Sequence, residues 1–326
     1  MAVALPRSDD LDGLIERALE GNHMAVARLL TQVERSLASA AAVVTATAAF
    51  PRRGRAVGLF GPPGVGKSSV VAGLIPAIRA TGATVAVLAN DPTGAESGGA
   101  LLGDRLRMKS LSRDPGTFIR SVAARDPLRS LNATTLGAVE LMTRIGFDYV
   151  VVEAVGAGQS DLGTRLVADT NVLVLVPGLG DDVQAMKSGA MEVADLFVVN
   201  KADMPEAPQT ARMLRQAAKS LTQPNGWTPP VVSTSAKDGT GFDDLMASLA
   251  AHAATRHDAR PAVESELAGD VIADLVGYEV VRRVRRTLAT SPELRARAAE
   301  VQGGGDDCIH AALVLADRLL ADPDAA

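Results

Sequence analysis

The sequence predicts an α/β protein built on a doubly wound, mainly parallel sheet, with helices before it and a helical arm after it. Three observations lead there. A glycine-rich turn carrying Lys67 and Ser68 separates an apolar run at 55–60 from a helix-compatible segment. Short apolar, β-branched runs then alternate with helical stretches, as parallel strands covered on both faces require. Past residue 250 or so the strand signal stops and helical periodicity takes over.

Taken in order, Leu11, Leu14, Ile15, Ala18 and Leu19, then Val26, Leu29, Leu30, Val33 and Leu37, recur at helical spacing and predict two or three helices, broken at Gly21-Asn22. His23 is expected as a cap or surface residue. A connector at 51–54 leads into the first strand, 55–60. A helix should cover 68–80, although Pro76 predicts a kink or an early end. A buried strand over 84–89 delivers Asn90-Asp91-Pro92, with a short strand possible at 118–120 and a helix at 134–145. Further strands at 147–152, 172–176, 196–199 and 231–234 each end in a polar or glycine-containing turn, and a helix covers 242–250. From 262 onward, Ile272, Leu275, Val276, Glu279, Val280 and Arg283 repeat at heptad-like intervals, before a glycine break at 303–305 and a final helix at 309–320. The division expected is a helical segment at 1–53, a nucleotide-binding domain at 54–257 and a helical arm at 258–326. Such an arm must bury its apolar stripe against the domain or a second subunit.

Composition narrows the partners. The chain of 326 residues is 47% apolar and 22% charged with a net charge of -5, and Arg282, Arg283, Arg285 and Arg286 make a basic cluster. That cluster reads as a solvated helix face, and no nucleic-acid partner is expected. Cys308 is the single cysteine, and His23, His252, His257 and His310 show no metal-ligand spacing. No apolar run approaches the ~18 residues of a membrane span, and the N-terminus carries no basic-then-apolar signal. The cytosol is the expected compartment, without membrane attachment.

The chemistry begins with Gly61-Pro62-Pro63-Gly64-Val65-Gly66-Lys67-Ser68-Ser69, which fits G-x-x-x-x-G-K-[ST] in the strand-to-helix setting that motif requires. Its backbone N–H groups and the following helix N-terminus suit phosphate oxygens, Lys67 reaches the terminal phosphates, and Ser68 suits Mg²⁺. Asn200-Lys201-Ala202-Asp203 matches N-K-x-D, a guanine reader: the aspartate accepts from the base's N1–H and exocyclic amine, and the lysine stem covers the ring. Ser235-Ala236-Lys237 follows where a backbone N–H can meet the guanine oxygen. GTP and GDP are therefore the expected ligands and GTP hydrolysis the expected reaction. Around the metal the expected carboxylates are Asp91, Asp104 and Glu153. Glu153, three residues before Gly156, resembles the D-x-x-G element of GTPases with Glu for Asp, and Gln159 is a candidate to orient the attacking water.

These motifs together resemble the MeaB/ArgK-type, methylmalonyl-CoA mutase-associated GTPases. The resemblance runs through the phosphate loop, Asp91-Pro92, the run from Gly98 to Arg105, Glu153 to Ser160, Asn200 to Asp203, and Trp227-Thr228-Pro229-Pro230-Val231. It implies a homodimeric GTPase that chaperones an adenosylcobalamin-dependent acyl-CoA mutase, gating cofactor loading and protecting the mutase. It further implies that the segment from Gly180 to Lys187 is a switch coupling nucleotide state to that partner, with Lys187 acting in it, and that the arm dimerises. Two segments depart from the family pattern, 125–132 and 93–96. A metallochaperone GTPase for nickel or cobalt centres would share both motifs but ordinarily carries a Cys/His delivery segment, and a P-loop kinase would not need the guanine reader.

Overall fold

Consecutive apolar residues can all be buried only in a strand covered on both faces, and the runs of this kind pair into one sheet. The computed structural model describes residues 8–91, 111–123, 133–154, 167–178, 190–223, 226–255, 265–290, 292–303, 307, 309 and 310. The chain divides into two compact units, Met1–Val263 and Glu264–Ala326. In the first, the strands are β1 (Arg55–Phe60), β2 (Val85–Asp91), β3 (Thr117–Ala123), β4 (Tyr149–Glu153), β5 (Thr170–Leu175), β6 (Leu196–Val199) and β7 (Val231–Ser233). Their order is β3-β2-β4-β1-β5-β6-β7, and every pairing is parallel. The expected mainly parallel sheet is thus wholly parallel over its seven strands.

Helices cover both faces, and the period-2 alternation of the strands decides which side chain meets which helix. Val172 and Val174 of β5 join a buried cluster with Leu74, Ile75 and Ile78 of α4 (Lys67–Ala80) and Leu245 of a later helix. Leu173 and Leu175 point the other way, into a cluster with Met191, Phe197 and Leu214. Three N-terminal helices, α1 (Ser8–Leu19), α2 (His23–Arg35) and α3 (Leu37–Thr47), pack with α5 (Ala133–Arg144) over the β2, β3 and β4 side. Gly21, at φ 83°, ends α1, and the Asn22 side chain caps α2 by accepting from the Met24 and Ala25 N–H groups. Arg120 on β3 ties α2 down through the Ala27 carbonyl and Glu34.

Three local expectations are revised. Pro76 neither ends nor shortens α4, which continues four residues past it to Ala80, its apolar face fixed in the core by Leu74, Ile75 and Ile78. Tertiary burial outweighs the one lost hydrogen bond. His23 is not the cap, which is Asn22, but a half-buried residue whose ring lies edge-on to Phe118 at 5.5 Å. The strand expected over three residues at 118–120 is a seven-residue strand, paired with β2 along its length.

The N-terminal edge of the sheet follows one rule. Parallel strands leave N–H donors there, and an aspartate standing just before each of three strands accepts from a neighbouring segment. Asp148, before β4, accepts from Thr84 N at 2.7 Å; Asp169, before β5, from Ala56 N at 2.7 Å; Asp195, before β6, from Asn171 N at 2.8 Å. Arg52 adds two bonds to Asp169, at 2.8 and 2.9 Å.

Among the described residues, the remaining helices of this unit are α6 (Ala190–Val193), α7 (Ala207–Ala218) and α8 (Phe242–Thr255), with a 3₁₀ turn at Lys219–Leu221. The second unit holds α9 (Ser265–Thr290) and α10 (Pro292–Gln302), and on α9 the residues Ile272, Val276 and Val280 are exposed at a spacing of four. Among the described residues no helix is long and apolar enough to cross a membrane.

Gly73 in α4 faces the ring of Phe242 so closely that a Cβ would collide with it, and Phe242 is itself buried. Gly73→Ala gains about 1 kcal/mol of helix propensity but overpacks the core at a cost of about 1–3 kcal/mol. The packing term should win, so we expect a lower melting temperature than the parent's. An unchanged or higher melt would contradict the packing described.

Candidate functional site

The C-terminal edge of a parallel sheet collects the turns that follow its strands, and here the turn after central β1 is the phosphate loop. Its glycines are held in left-handed backbone, Gly61 at φ 137°, Gly64 at 78° and Gly66 at 85°. Two of them are also steric necessities: a Cβ on Gly61 would enter the Val174 carbonyl, and one on Gly66 would enter the Asn200 amide. Val65 is buried in the core and anchors the loop, leaving Pro62 and Pro63 at its rim. Helix α4 begins at Lys67 with Gly66 as its cap, no side-chain cap bond and no acidic residue in its first turn. Its first N–H groups are therefore left for an external acceptor, which a phosphate satisfies together with the helix dipole.

Lys67 Nζ donates to the Gly61 and Pro62 carbonyls at 2.9 and 3.2 Å, lying along the loop. Ser68 Oγ donates to Glu153 Oε1 at 2.6 Å, so the hydroxyl and the carboxylate at the end of β4 meet although 85 residues separate them. Ser69 sits one position further along the first turn. Asp91 is the last residue of β2, the neighbour of β4, two positions beyond the residue paired with Glu153. Asp104, Gln159 and Lys187 lie outside the described residues, as do Asp181 and Asp182.

The second motif arrives at the same edge on β6. Asn200 N donates to Leu175 O at 2.8 Å, and its buried side chain turns toward the loop, Nδ2 donating to Val65 O at 2.9 Å. Lys201 follows at φ 58°, the one positive φ on a non-glycine among the described residues. That conformation costs about 1 kcal/mol or more and is retained where the surroundings dictate it. Ala202 N donates to Thr234 O, after which Asp203 receives the Ser235 hydroxyl at 3.2 Å and faces Lys237 Nζ at 3.7 Å. Ser235 is buried, whereas Ala236 and Lys237 are exposed beside it. The structure thus brings Asn200, Lys201, Asp203, Ser235, Ala236 and Lys237 together and joins them to the phosphate loop through one amide.

Sequence reasoning did not anticipate that amide link, nor a buried polar group at the far edge. There His252, 1% exposed, contacts the Thr170 hydroxyl through Nδ1 at 2.8 Å and stands 3.5 Å from Asp195. Trp227 donates to the Asp195 carbonyl and lies against the His252 ring. The four residues come from separate elements, so no spacing in the chain announces them.

A wholly parallel sheet carrying this loop and this base-reading turn defines a P-loop GTPase. The protein is a GTP hydrolase. A family model described as methylmalonyl Co-A mutase-associated GTPase MeaB matches residues 26–288. The chain belongs to that family. It is 44% identical over 247 residues to a putative GTPase of Pyrococcus horikoshii, covering 74% of this chain and 77% of that one. It is 35% identical over 321 residues to a putative GTPase of Caulobacter vibrioides, covering 96% and 97%. A mouse protein described as methylmalonic aciduria type A homolog, mitochondrial, is 36% identical over 193 residues, covering 58% of this chain and 46% of that one. Among solved structures, one titled LAO/AO transport system kinase superposes with a TM-score of 0.67 at 23% identity, covering 97% of this chain and all of that one. At that identity the likeness is one of fold alone.

Asn200→Asp would set a carboxylate against the Val65 carbonyl in place of a donor. A mispaired buried polar group costs about 1–3 kcal/mol. Both a lower melting temperature and GTP binding weakened by about tenfold are expected. A variant with parental nucleotide affinity in a titration would show that the amide does not hold the loop.

Proposed function

We propose that this GTPase is a nucleotide-operated chaperone of an adenosylcobalamin-dependent acyl-CoA mutase, gating cofactor loading and protecting the mutase from inactivation. The observation that carries the nucleotide half is the Asn200 to Val65 bond, which makes base reading and phosphate binding one rigid unit. Support for the mutase half is the family description itself.

In this reading the loop from Gly61 to Ser69 cradles the phosphates, and Lys67 swings from its loop carbonyls onto the terminal ones. Asp203, positioned by Ser235 and Lys237, reads guanine. The donor set at the loop fits Mg²⁺: hydroxyl and carboxylate oxygens, with Ser68 and Glu153 already in contact. Ser68, Glu153, Asp91 and Asp104 would hold that ion, which would supply charge neutralisation at the phosphates. Gln159 would orient the water. The segment from Gly180 to Lys187 would couple nucleotide state to the mutase, and residues 258–326 would form the homodimer, using the exposed row of Ile272, Val276 and Val280. The protein would act in the cytoplasm.

Asp203→Asn replaces an acceptor with an amide that can donate to the O2 of xanthine. We expect GTP affinity to fall roughly tenfold or more and preference to move toward xanthosine triphosphate. Unaltered guanine selectivity in competition titrations would remove Asp203 from the role of reader.

The chaperone reading is tested by GTP and ATP hydrolysis with and without an adenosylcobalamin-dependent acyl-CoA mutase. Hydrolysis should be GTP-selective and accelerated by the mutase. Lys187→Ala should keep GTP affinity within about threefold yet lose most of that acceleration, since a switch acts through its partner. Absence of any mutase effect on the parent protein would defeat the partner assignment while leaving the GTPase intact.

A further inference from the structure

We infer a second binding site, for a small phosphate-bearing organic anion, at the edge of the sheet opposite the phosphate loop. The starts of β1, β4 and β5 and the last turns of α8 enclose a cavity of about 370 Å³. That volume lies within the roughly 300–1,000 Å³ of small-molecule pockets. Six residues of β1 at about 3.3 Å each separate it from the loop by about 20 Å, too far for one ligand to share both.

Arg52, Arg53 and Arg55 stand around this cavity. Arg52 is committed to Asp169, the one carboxylate among the lining residues, and Asp169 also accepts from Ala56 N. That acid is neutralised where it stands. Arg53 and Arg55 are exposed, and neither guanidinium has a partner among the described residues. Gly54 between them is pressed against the Phe147 carbonyl and Thr143, so closely that a Cβ would not fit. Arg53 and Arg55, on either side of it, both line the cavity, so two guanidinium forks are available to one ligand. A tetrahedral dianion matches two such forks better than a monovalent planar one.

The rest of the wall is apolar. Val57 and Leu249, nearly fully buried, form the floor with Ala253, and Tyr149 stands at the side. A ligand that is phosphate alone would leave this surface wet, whereas a ring or short chain attached to it would cover the floor. Phosphate at the arginines and an apolar group on Val57 and Leu249 is the chemistry the cavity takes.

The test uses the full chain with the nucleotide site saturated by GDP and Mg²⁺, titrated calorimetrically with phenyl phosphate and, separately, inorganic phosphate. Saturable binding of phenyl phosphate is expected, with inorganic phosphate weaker by about tenfold. The double variant Arg53→Ala, Arg55→Ala should weaken phenyl phosphate at least about tenfold while GDP affinity stays parental. Ala253→Trp keeps both arginines but fills the floor, and should weaken phenyl phosphate while sparing GDP. No saturable binding to the parent chain, or undiminished binding in the double variant, overturns the site. Equal affinity for inorganic phosphate overturns its organic character.

Discussion

The phosphate loop can keep its shape only because two neighbouring strands leave room for it and one of them holds it. Gly61 passes under the Val174 carbonyl and Gly66 against the Asn200 amide, at separations that exclude any side chain. These contacts exist because β1 pairs with β5 and β5 with β6, in registers that bring all three to the same edge. A different strand order would put the Asn200 turn elsewhere and remove its bond to the loop. The fold and the site are thus one constraint: the order of the sheet is what makes a shared guanine and phosphate cleft possible.

At the phosphate loop the start of the helix is left without a negative partner of its own. The start of α4 carries neither a capping side chain nor an acid, although such residues would stabilise the helix by about 0.5–2 kcal/mol. Lys201 is held at φ 58° instead of relaxing. Both are local departures from the most stable choice, and both lie at the C-terminal edge of the sheet, beside the phosphate loop. The stability forgone there is recovered in the core, where Val, Leu and Ile fill both faces of the sheet with few aromatics.

The sequence made the central domain legible where the signal was local. Six apolar runs, a glycine loop with its lysine, and a four-residue N-K-x-D turn each announce themselves within ten residues. What it concealed was non-local. Pro76 argued for a kink or an early end because its cost is local, whereas the burial of Leu74, Ile75 and Ile78 that carries the helix on to Ala80 comes from the sheet. His23 looked like a cap because a histidine after glycine and asparagine has no apolar context in the chain; its context is Phe118 and Phe147. The contact between Ser68 and Glu153 was expected as shared metal ligation, and the structure supplies the hydrogen bond that brings the two together. The bond from Asn200 to Val65 had no sequence signal, since N-K-x-D describes what the turn reads and not what it leans on.

The opposite edge of the sheet shows why the two ends of one strand can do different work. Asp148, Asp169 and Asp195 each stand one residue before a strand and accept a backbone N–H from the segment beside it. In each case the chain also returns a bond: Asp169 N to Ala56 O and Asp195 N to Asn171 O at 2.8 Å, and Asp148 N to the Thr84 hydroxyl at 3.0 Å. Such reciprocal pairs fix register at the strand starts, so the strand ends can carry glycine turns and strained residues without slipping. Carboxylates placed this way add negative charge to that edge, and Arg52 answers it at Asp169. Of the three aspartates only Asp169 lines the cavity, so Arg53 and Arg55 are uncompensated on its wall, which is the physical reason it is suited to an anion.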